Sequence, residues 1–136
     1  MYYSAVRILK FDSGHRVVNH ESKCATLHGH EYKAHIYAQA HCLDNLGRAI
    51  DFSVIKDRIG QWIDDHWDHT MIIWHKDPNL NLLNQCEGYK DICVTNYNPT
   101  AENMAKFLID KCNELLCDTP VTVSYTHLTL PTIRSV

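Results

Sequence analysis

The chain has 136 residues, of which 45% are hydrophobic and 21% charged, and a formal net charge of -3 at pH 7. These values predict one globular domain large enough to bury a core. The lack of a basic run argues against a nucleic-acid-binding surface, and no stretch approaches the roughly 20 apolar residues that span a bilayer. The spacing of the six cysteines indicates no disulfide framework, and residues 1–7 lack the apolar segment of a signal peptide. We therefore expect a cytoplasmic protein with reduced thiols that acts neither on nucleic acid nor at a membrane.

The first third of the chain predicts two paired strands. Residues 3–11 alternate loosely between apolar and polar and predict the first strand, which residues 12–14 (Asp-Ser-Gly) are expected to interrupt as a turn or bulge. Residues 30–42 alternate more clearly and predict a long antiparallel strand that pairs with the first as a hairpin. One face of this sheet, which carries His35 and Tyr37, would need water or a partner subunit to cover it.

The middle of the chain predicts a helix followed by a loop. Residues 49–52 predict a short strand piece, and Ser53 is predicted to cap a helix whose apolar face continues to about His66. Residues 72–91 are polar and without period, which predicts a long loop.

The last third predicts a strand, a helix and a final strand. Residues 92–95 and 121–125 predict the third and fourth strands, and apolar residues recur at helical spacing over 101–116, after an Asn98-Pro99-Thr100 start signal. Four antiparallel strands with two helices on one face predict an α+β domain.

Three histidines at predicted strand ends indicate a metal site. A single glycine separates His28 from His30, so a strand would project both side chains from one face. His15 follows Gly14 and is expected at the end of the first strand or just past it. Three imidazole nitrogens are a ligand set of catalytic zinc, whose fourth position binds water or substrate. The alternative is three ordinary polar histidines.

Two further features of the sequence could act beside such a metal. Cys24 precedes His28 by four residues and has three interpretations: a fourth zinc ligand, a thiolate that acts as nucleophile or base, or an unreactive loop thiol. Asp68 and His69, after the first helix, are an acid and a histidine that could exchange protons near neutral pH. They could equally be part of a polar loop, and adjacent residues rarely hydrogen-bond side chain to side chain.

The order of these motifs resembles a known family. The motifs are His15, the 24–30 run Cys-Ala-Thr-Leu-His-Gly-His, the 49–53 run Ala-Ile-Asp-Phe-Ser, the 67–69 run Trp-Asp-His and the 98–103 run Asn-Pro-Thr-Ala-Glu-Asn. Over residues 3–123 they resemble the 6-pyruvoyl-tetrahydropterin synthase superfamily. The three residues between the cysteine and the first histidine resemble its 6-carboxy-tetrahydropterin synthase branch, which acts in queuosine-precursor synthesis.

The resemblance implies both an architecture and a reaction. The architecture is a tunnelling fold: a four-stranded antiparallel sheet with two antiparallel helices on one face, assembled as a homohexamer of two trimers with active sites at subunit interfaces. The reaction is that of a zinc-dependent lyase, which converts the pterin 7,8-dihydroneopterin triphosphate to 6-carboxy-5,6,7,8-tetrahydropterin with release of acetaldehyde and triphosphate. The alternatives are the pyruvoyl branch and a non-catalytic protein that binds zinc and pterin.

The resemblance also implies a role for each matching residue. The zinc ligands would be His15, His28 and His30. Cys24 would be the general base, and His69 would relay protons while Asp68 orients it. The residues close to the substrate would be Asp51, Phe52, Thr100 and Glu102.

The C-terminal segment departs from the family pattern. Tyr125 stands where the family has a glutamate that binds the pterin ring nitrogens, and a phenol cannot supply a bidentate carboxylate. Residues 124–136 have no family likeness, and residues 123–132 resemble the translation of a sequencing-library adapter. We therefore predict a single synthase domain over 1–123 and interpret 124–136 as a tail that is not native coding sequence.

Overall fold

A computed structural model describes residues 1–130, in which a five-stranded sheet forms the centre of the fold. The strands are β1 (Tyr3–His15), β2 (His28–Ala40), β3 (Met71–Trp74), β4 (Cys93–Thr95) and β5 (Thr122–Thr129), in the sheet order β4-β3-β1-β2-β5. β2 pairs antiparallel with β1 and β5, whereas β3 runs parallel to β1 and β4. The predicted α+β class is confirmed, but the predicted four-stranded antiparallel sheet is wrong, because the sheet is mixed and has a fifth strand.

Three helices accompany the sheet in residues 1–130, besides a short 3₁₀ turn (Lys23–Ala25). A continuous helix over 52–66 consists of α1 (Phe52–Ile55), a π-helical segment (Lys56–Gly60) and α2 (Gln61–His66). The single turn α3 (Leu80–Leu83) and the long helix α4 (Ala101–Leu115) follow. None of the helices within residues 1–130 has the length and apolar content needed to cross a membrane.

The core lies between one face of the sheet and the two long helices. Alternate residues of β1 and β2 point into it, as the period of two requires, and the helices contribute residues four apart on one face. These buried side chains include Ala5, Leu9 and Phe11 of β1, Tyr32, Ala34, Ile36 and Ala38 of β2, Ile55, Ile59 and Ile63 of the first helix, and Met104, Leu108 and Cys112 of α4.

The predicted interruption of the first strand at residues 12–14 is wrong. β1 continues in register with β2 up to His15, because the polar residues find partners there. The Ser13 hydroxyl and the Gly14 N–H both donate to the Thr70 carbonyl oxygen, over 2.8 and 2.9 Å. A Cβ at Gly14 would lie 2.4 Å from Met71 Sδ, so the glycine lets the next strand approach.

The predicted strand at 49–52 and the predicted cap at Ser53 are also wrong. Phe52 begins α1, and Asp51 is its N-cap, since its carboxylate accepts the Ser53 N–H over 3.0 Å. An aspartate one position before the first helical residue satisfies an otherwise unpaired N–H group. Asn98 and Thr100 were both candidate caps in the predicted start signal of α4. The N-cap is Thr100, because its hydroxyl accepts the Asn103 N–H.

Two other segments differ from their predicted structure. The predicted loop over 72–91 contains β3 and α3, which are too short to produce a period in the sequence. The last strand is longer than predicted and reaches Thr129. Residues 131–136 of the predicted tail lie outside the described residues, and the assignment of 124–136 as non-native stays a prediction.

Candidate active site

The adjacent ends of β1 and β2 bring the three predicted metal ligands together. His15 pairs with His28 across the two strands, and β2 begins at His28 rather than at the predicted His30. The ring centroids lie 4.6 to 5.2 Å apart, and one nitrogen of each ring lies within 4.8 Å of those of the other two. The geometry is that of a three-nitrogen metal site.

Backbone carbonyls set the tautomers of two of these imidazoles. His15 Nδ1 lies 2.6 Å from the Pro99 oxygen and His28 Nδ1 lies 2.5 Å from the Thr26 oxygen. A carbonyl oxygen can only accept, so each Nδ1 carries the proton and each Nε2 presents a lone pair. Histidine ligands of metals are oriented in this way.

The separation of the two Nε2 atoms fits a shared cation. They lie 3.1 Å apart, where two lone pairs repel each other unless a cation or a proton lies between them. A tetrahedral zinc with bonds of about 2.0 to 2.1 Å holds its nitrogen ligands about 3.3 Å apart. His30 Nδ1 is buried and has no hydrogen-bond partner within residues 1–130. The donor set therefore fits a zinc ion.

The surroundings of the cluster favour neutral imidazoles, the form that binds metal. His15 is only 3% exposed, and burial is the main reason that its pKa is lowered to about 4. Repulsion from His28 and His30 lowers the pKa further, whereas the hydrogen bond to Pro99 raises it. Burial and the neighbouring His28 also lower the pKa of His30.

A cavity of about 890 Å³ opens beside the cluster, and we call it the main cavity. His28 and His30 form part of its wall. His69 and Met71 line it from the segment that follows the first helix, and residues 86–90 line it from the loop before β4. The main cavity thus combines potential metal ligands with a titratable histidine from a separate element.

His69 and Asp68 form a hydrogen-bonded pair at the edge of this cavity. His69 Nδ1 lies 2.8 Å from Asp68 Oδ2, so the expectation that adjacent side chains would not bond is wrong here. The His69 backbone has a left-handed conformation, with φ of 55°, in the structure that contains this hydrogen bond. Asp12 secures it: its N–H donates to Asp68 Oδ1 over 2.9 Å, and its oxygen accepts the His69 N–H over 2.6 Å.

The pair shifts the pKa of both members. The hydrogen bond and the charge of Asp68 raise the pKa of His69. Partial burial would raise the pKa of Asp68, but hydrogen bonds from the Asp12 N–H and from His69 outweigh burial and lower it. His69 therefore holds a proton more readily than an isolated imidazole does.

Cys24 does not line the main cavity of its own chain, as described over residues 1–130. It is half-buried in a short 3₁₀ turn (Lys23–Ala25), and its carbonyl oxygen accepts the Val17 N–H over 2.8 Å. The predicted loop position of Cys24 is confirmed, whereas its catalytic role stays a prediction.

The predicted substrate residues lie in two places. Asp51 and Phe52 line a second cavity near Tyr3. Tyr3 and His15 are the two ends of β1, and at about 3.3 Å per residue they lie about 40 Å apart along the strand. One chain does not bring Asp51 and Phe52 to the histidine cluster. Thr100 instead follows Pro99, whose oxygen contacts His15, and Glu102 is exposed in the first turn of α4.

Sequence reasoning missed two residues that support the site. Asn98 was predicted only as part of a helix start signal. Its side-chain oxygen accepts the Val18 N–H over 3.0 Å, and its amide nitrogen donates to the Val18 carbonyl oxygen over 2.9 Å. Lys90 Nζ donates to the carbonyl oxygens of Asp64 and Asp68. Asn98 belongs to the 98–103 motif, so the sequence did indicate that this residue matters. Nothing in the sequence around Lys90 indicates that it binds Asp64 and Asp68.

The fold and the histidine cluster define a small α+β protein with the ligand set of a metal-dependent enzyme. The sequence model of the family described as 6-pyruvoyl tetrahydropterin synthase matches residues 5–131. A 6-carboxy-5,6,7,8-tetrahydropterin synthase of Rickettsia conorii is 43% identical over 103 residues, which are 75% of this chain and 74% of the relative. A probable 6-carboxy-5,6,7,8-tetrahydropterin synthase of Halobacterium salinarum is 28% identical over 129 residues, 95% and 82% of the two chains.

Solved structures share the fold at low sequence identity. An uncharacterized protein of Wolinella succinogenes superposes with a TM-score of 0.85 at 21% identity, over 98% of this chain and 96% of that one. A 6-pyruvoyl tetrahydropterin synthase of Caenorhabditis elegans gives a TM-score of 0.61 at 16% identity, over 97% of both chains. The chain belongs to the 6-pyruvoyl tetrahydropterin synthase family, and it is a pterin-processing lyase of the 6-carboxy-tetrahydropterin synthase kind.

Proposed function

We propose that this protein is a zinc-dependent lyase that converts 7,8-dihydroneopterin triphosphate and one water to 6-carboxy-5,6,7,8-tetrahydropterin, releasing acetaldehyde and triphosphate. We place this reaction in queuosine-precursor (7-deazaguanine) biosynthesis in the cytoplasm. The observation that carries the proposal is the 3.1 Å separation of the Nε2 atoms of His15 and His28, whose lone pairs face each other. These atoms lie beside a cavity that His69 also lines. The names of the Rickettsia and Halobacterium relatives support the choice of product.

The histidine cluster would hold the metal, and the other residues would move protons. His15, His28 and His30 are the proposed ligands of Zn²⁺, which when bound supplies Lewis-acid polarisation of substrate oxygens. Cys24 is the proposed general base, as a thiolate. His69 is the proposed proton relay, and Asp68 orients its imidazole through the 2.8 Å hydrogen bond to Nδ1, which leaves Nε2 to exchange protons.

Assembly would complete the substrate pocket. Asp51 and Phe52 lie at the far end of β1 from the metal cluster, so they can reach the substrate only from another subunit. The sheet face opposite the helices exposes Val6 by 42%, Ile8 by 48% and Tyr125 by 50%, which gives a partner subunit an apolar surface to cover. We propose a homohexamer of two trimers, with Thr100 and Glu102 close to the substrate.

Tyr125 favours a second candidate function, a non-catalytic protein that binds zinc and pterin. Its ring lies 4.9 Å from that of Tyr37 on the exposed sheet face, and its phenol offers no carboxylate for the pterin ring. The pyruvoyl branch of the family is a further alternative, which differs by the product it forms from the same substrate.

The test is to measure zinc and product on the same protein. Purified chain should contain about one zinc per subunit and form 6-carboxy-tetrahydropterin and acetaldehyde from dihydroneopterin triphosphate, as followed by mass spectrometry. Zinc without product would support the non-catalytic function, and a 6-pyruvoyl product would support the other branch. His15→Ala should lose the metal, and zinc retained at full content would refute the ligand assignment.

Cys24→Ala separates a base from a ligand. It should abolish turnover and leave zinc bound, because a general base is not needed to hold the metal. Cys42→Ala is the matched control, since Cys42 is an exposed free cysteine and should affect neither quantity. Loss of zinc in Cys24→Ala would make Cys24 a ligand, and full turnover would exclude it as the base.

A further inference from the structure

Lys90 connects the loop before β4 to the segment that carries His69. Its Nζ donates to the carbonyl oxygen of Asp68, over 2.5 Å, and to that of Asp64. Asp64 lies in α2, close to its C-terminus, where the last carbonyl groups lack partners within the helix and attract a cation. One ammonium thus binds both the helix end and the residue immediately before His69.

The same segment is held from its other side by β1. Asp12 binds the Asp68 carboxylate through its N–H and the His69 N–H through its oxygen. A second bond from the loop, from the Thr70 hydroxyl to the Asp91 oxygen over 2.8 Å, lies beside the Lys90 contacts. Residues 68–70 are therefore fixed between β1 and residues 90–91.

His69 needs such external support. Its φ of 55° is a left-handed conformation that residues other than glycine adopt at a cost, and it persists only where surrounding contacts maintain it. The imidazole is itself exposed, so it receives little packing, and its direction depends on the backbone that carries it. Lys90 supplies one of the hydrogen bonds to the backbone on which the His69 side chain depends, at the Asp68 carbonyl oxygen.

We propose that Lys90 is a positioning residue of the reaction: it holds the Asp68 carbonyl so that the His69 imidazole projects into the main cavity. The inference rests on the proposed function, in which His69 relays a proton. Lys90 and His69 both line the main cavity. The charged groups that act on His69 are Asp68 and Asp12, which favour its protonated form, and Lys90, which opposes it.

The test compares Lys90→Met with Lys90→Arg in the zinc-loaded protein. Lys90→Met removes the donors and the charge at similar length. We expect kcat to fall about tenfold, because a small misplacement of a catalytic group has a large effect on rate, while KM stays within about twofold. Lys90→Arg keeps a cationic donor and should recover most of kcat. Lys111→Met is the control, because Lys111 contacts Glu114 on α4 and should leave kcat unchanged.

Rescue by the conservative variant gives a readout that a merely structural role would not change. Lys90→Met should lower kcat with little change in KM, whereas Lys90→Arg, which can still donate to the Asp68 carbonyl oxygen, should recover kcat. An unchanged kcat in Lys90→Met, or no recovery in Lys90→Arg, would overturn the proposal. If Lys90→Met does not fold, Lys90→Gln replaces it under the same criteria.

His69→Ala distinguishes failure of this inference from failure of the proposed function. If His69→Ala keeps full turnover, the proposed relay is wrong, and with it the positioning role. If His69→Ala loses turnover and Lys90→Met does not, the relay stands and the role of Lys90 is refuted.

Discussion

Acidification should destabilise the metal-free protein through His15. Burial lowers the pKa of this imidazole to about 4 from an ordinary value of 6.5. Between these values the unfolded chain binds a proton that the folded chain does not, so the free energy of unfolding falls as the pH falls. The contribution is fully present above pH 6.5 and is lost by about pH 4. At about 1.4 kcal/mol per pKa unit, the loss is about 3 kcal/mol.

The assay is urea unfolding in the presence of a chelator, at one protein concentration, from pH 7.5 to pH 4. His15→Asn is the reference protein, because its amide can still donate to the Pro99 oxygen but does not titrate. The difference in unfolding free energy between the two proteins should change by about 3 kcal/mol over this range, in favour of His15→Asn at low pH. Parallel curves for the two proteins would refute the reasoning. Added zinc should stabilise the unaltered protein at pH 7 and much less at pH 4, because protons compete for the ligands.

Three further substitutions test other parts of the site. Asp68→Asn should lower the pKa of His69 towards its ordinary value, because the Asp68 carboxylate raises it. A His69 pKa that is the same in Asp68→Asn and in the unaltered protein, as measured by NMR titration, would contradict this. Asn98→Ala should lower the free energy of unfolding by about 2 kcal/mol, because it removes two hydrogen bonds to the Val18 backbone. A urea midpoint equal to that of the unaltered protein would show that these two hydrogen bonds do not stabilise the fold. Thr100→Ala should cost about 1 kcal/mol through the lost N-cap of α4, whereas Thr100→Ser should restore most of it in the same measurement.

The elements with a strong local period were predictable from the sequence. The alternation along β2 and the helical spacing in α4 each extend over more than ten residues, long enough for one buried face to be evident. β3, with four residues, and α3, with one turn, are too short to repeat. Residues 12–14 were misread for a different reason, since their polar groups are satisfied by Thr70, a partner distant in sequence.

The chain by itself determined the ligand set, because His28-Gly-His30 at a strand start projects both imidazoles from one face, whatever the rest of the fold. Only the tertiary structure decided how that set is oriented and what lies beside it. The Pro99 oxygen that sets the tautomer of His15 is 84 residues away in sequence, and the Lys90 contact to Asp68 spans 22. Such contacts depend on how separate elements pack, which no local pattern encodes, and they place His69 in the main cavity while leaving Asp51 and Phe52 at the far end of the sheet.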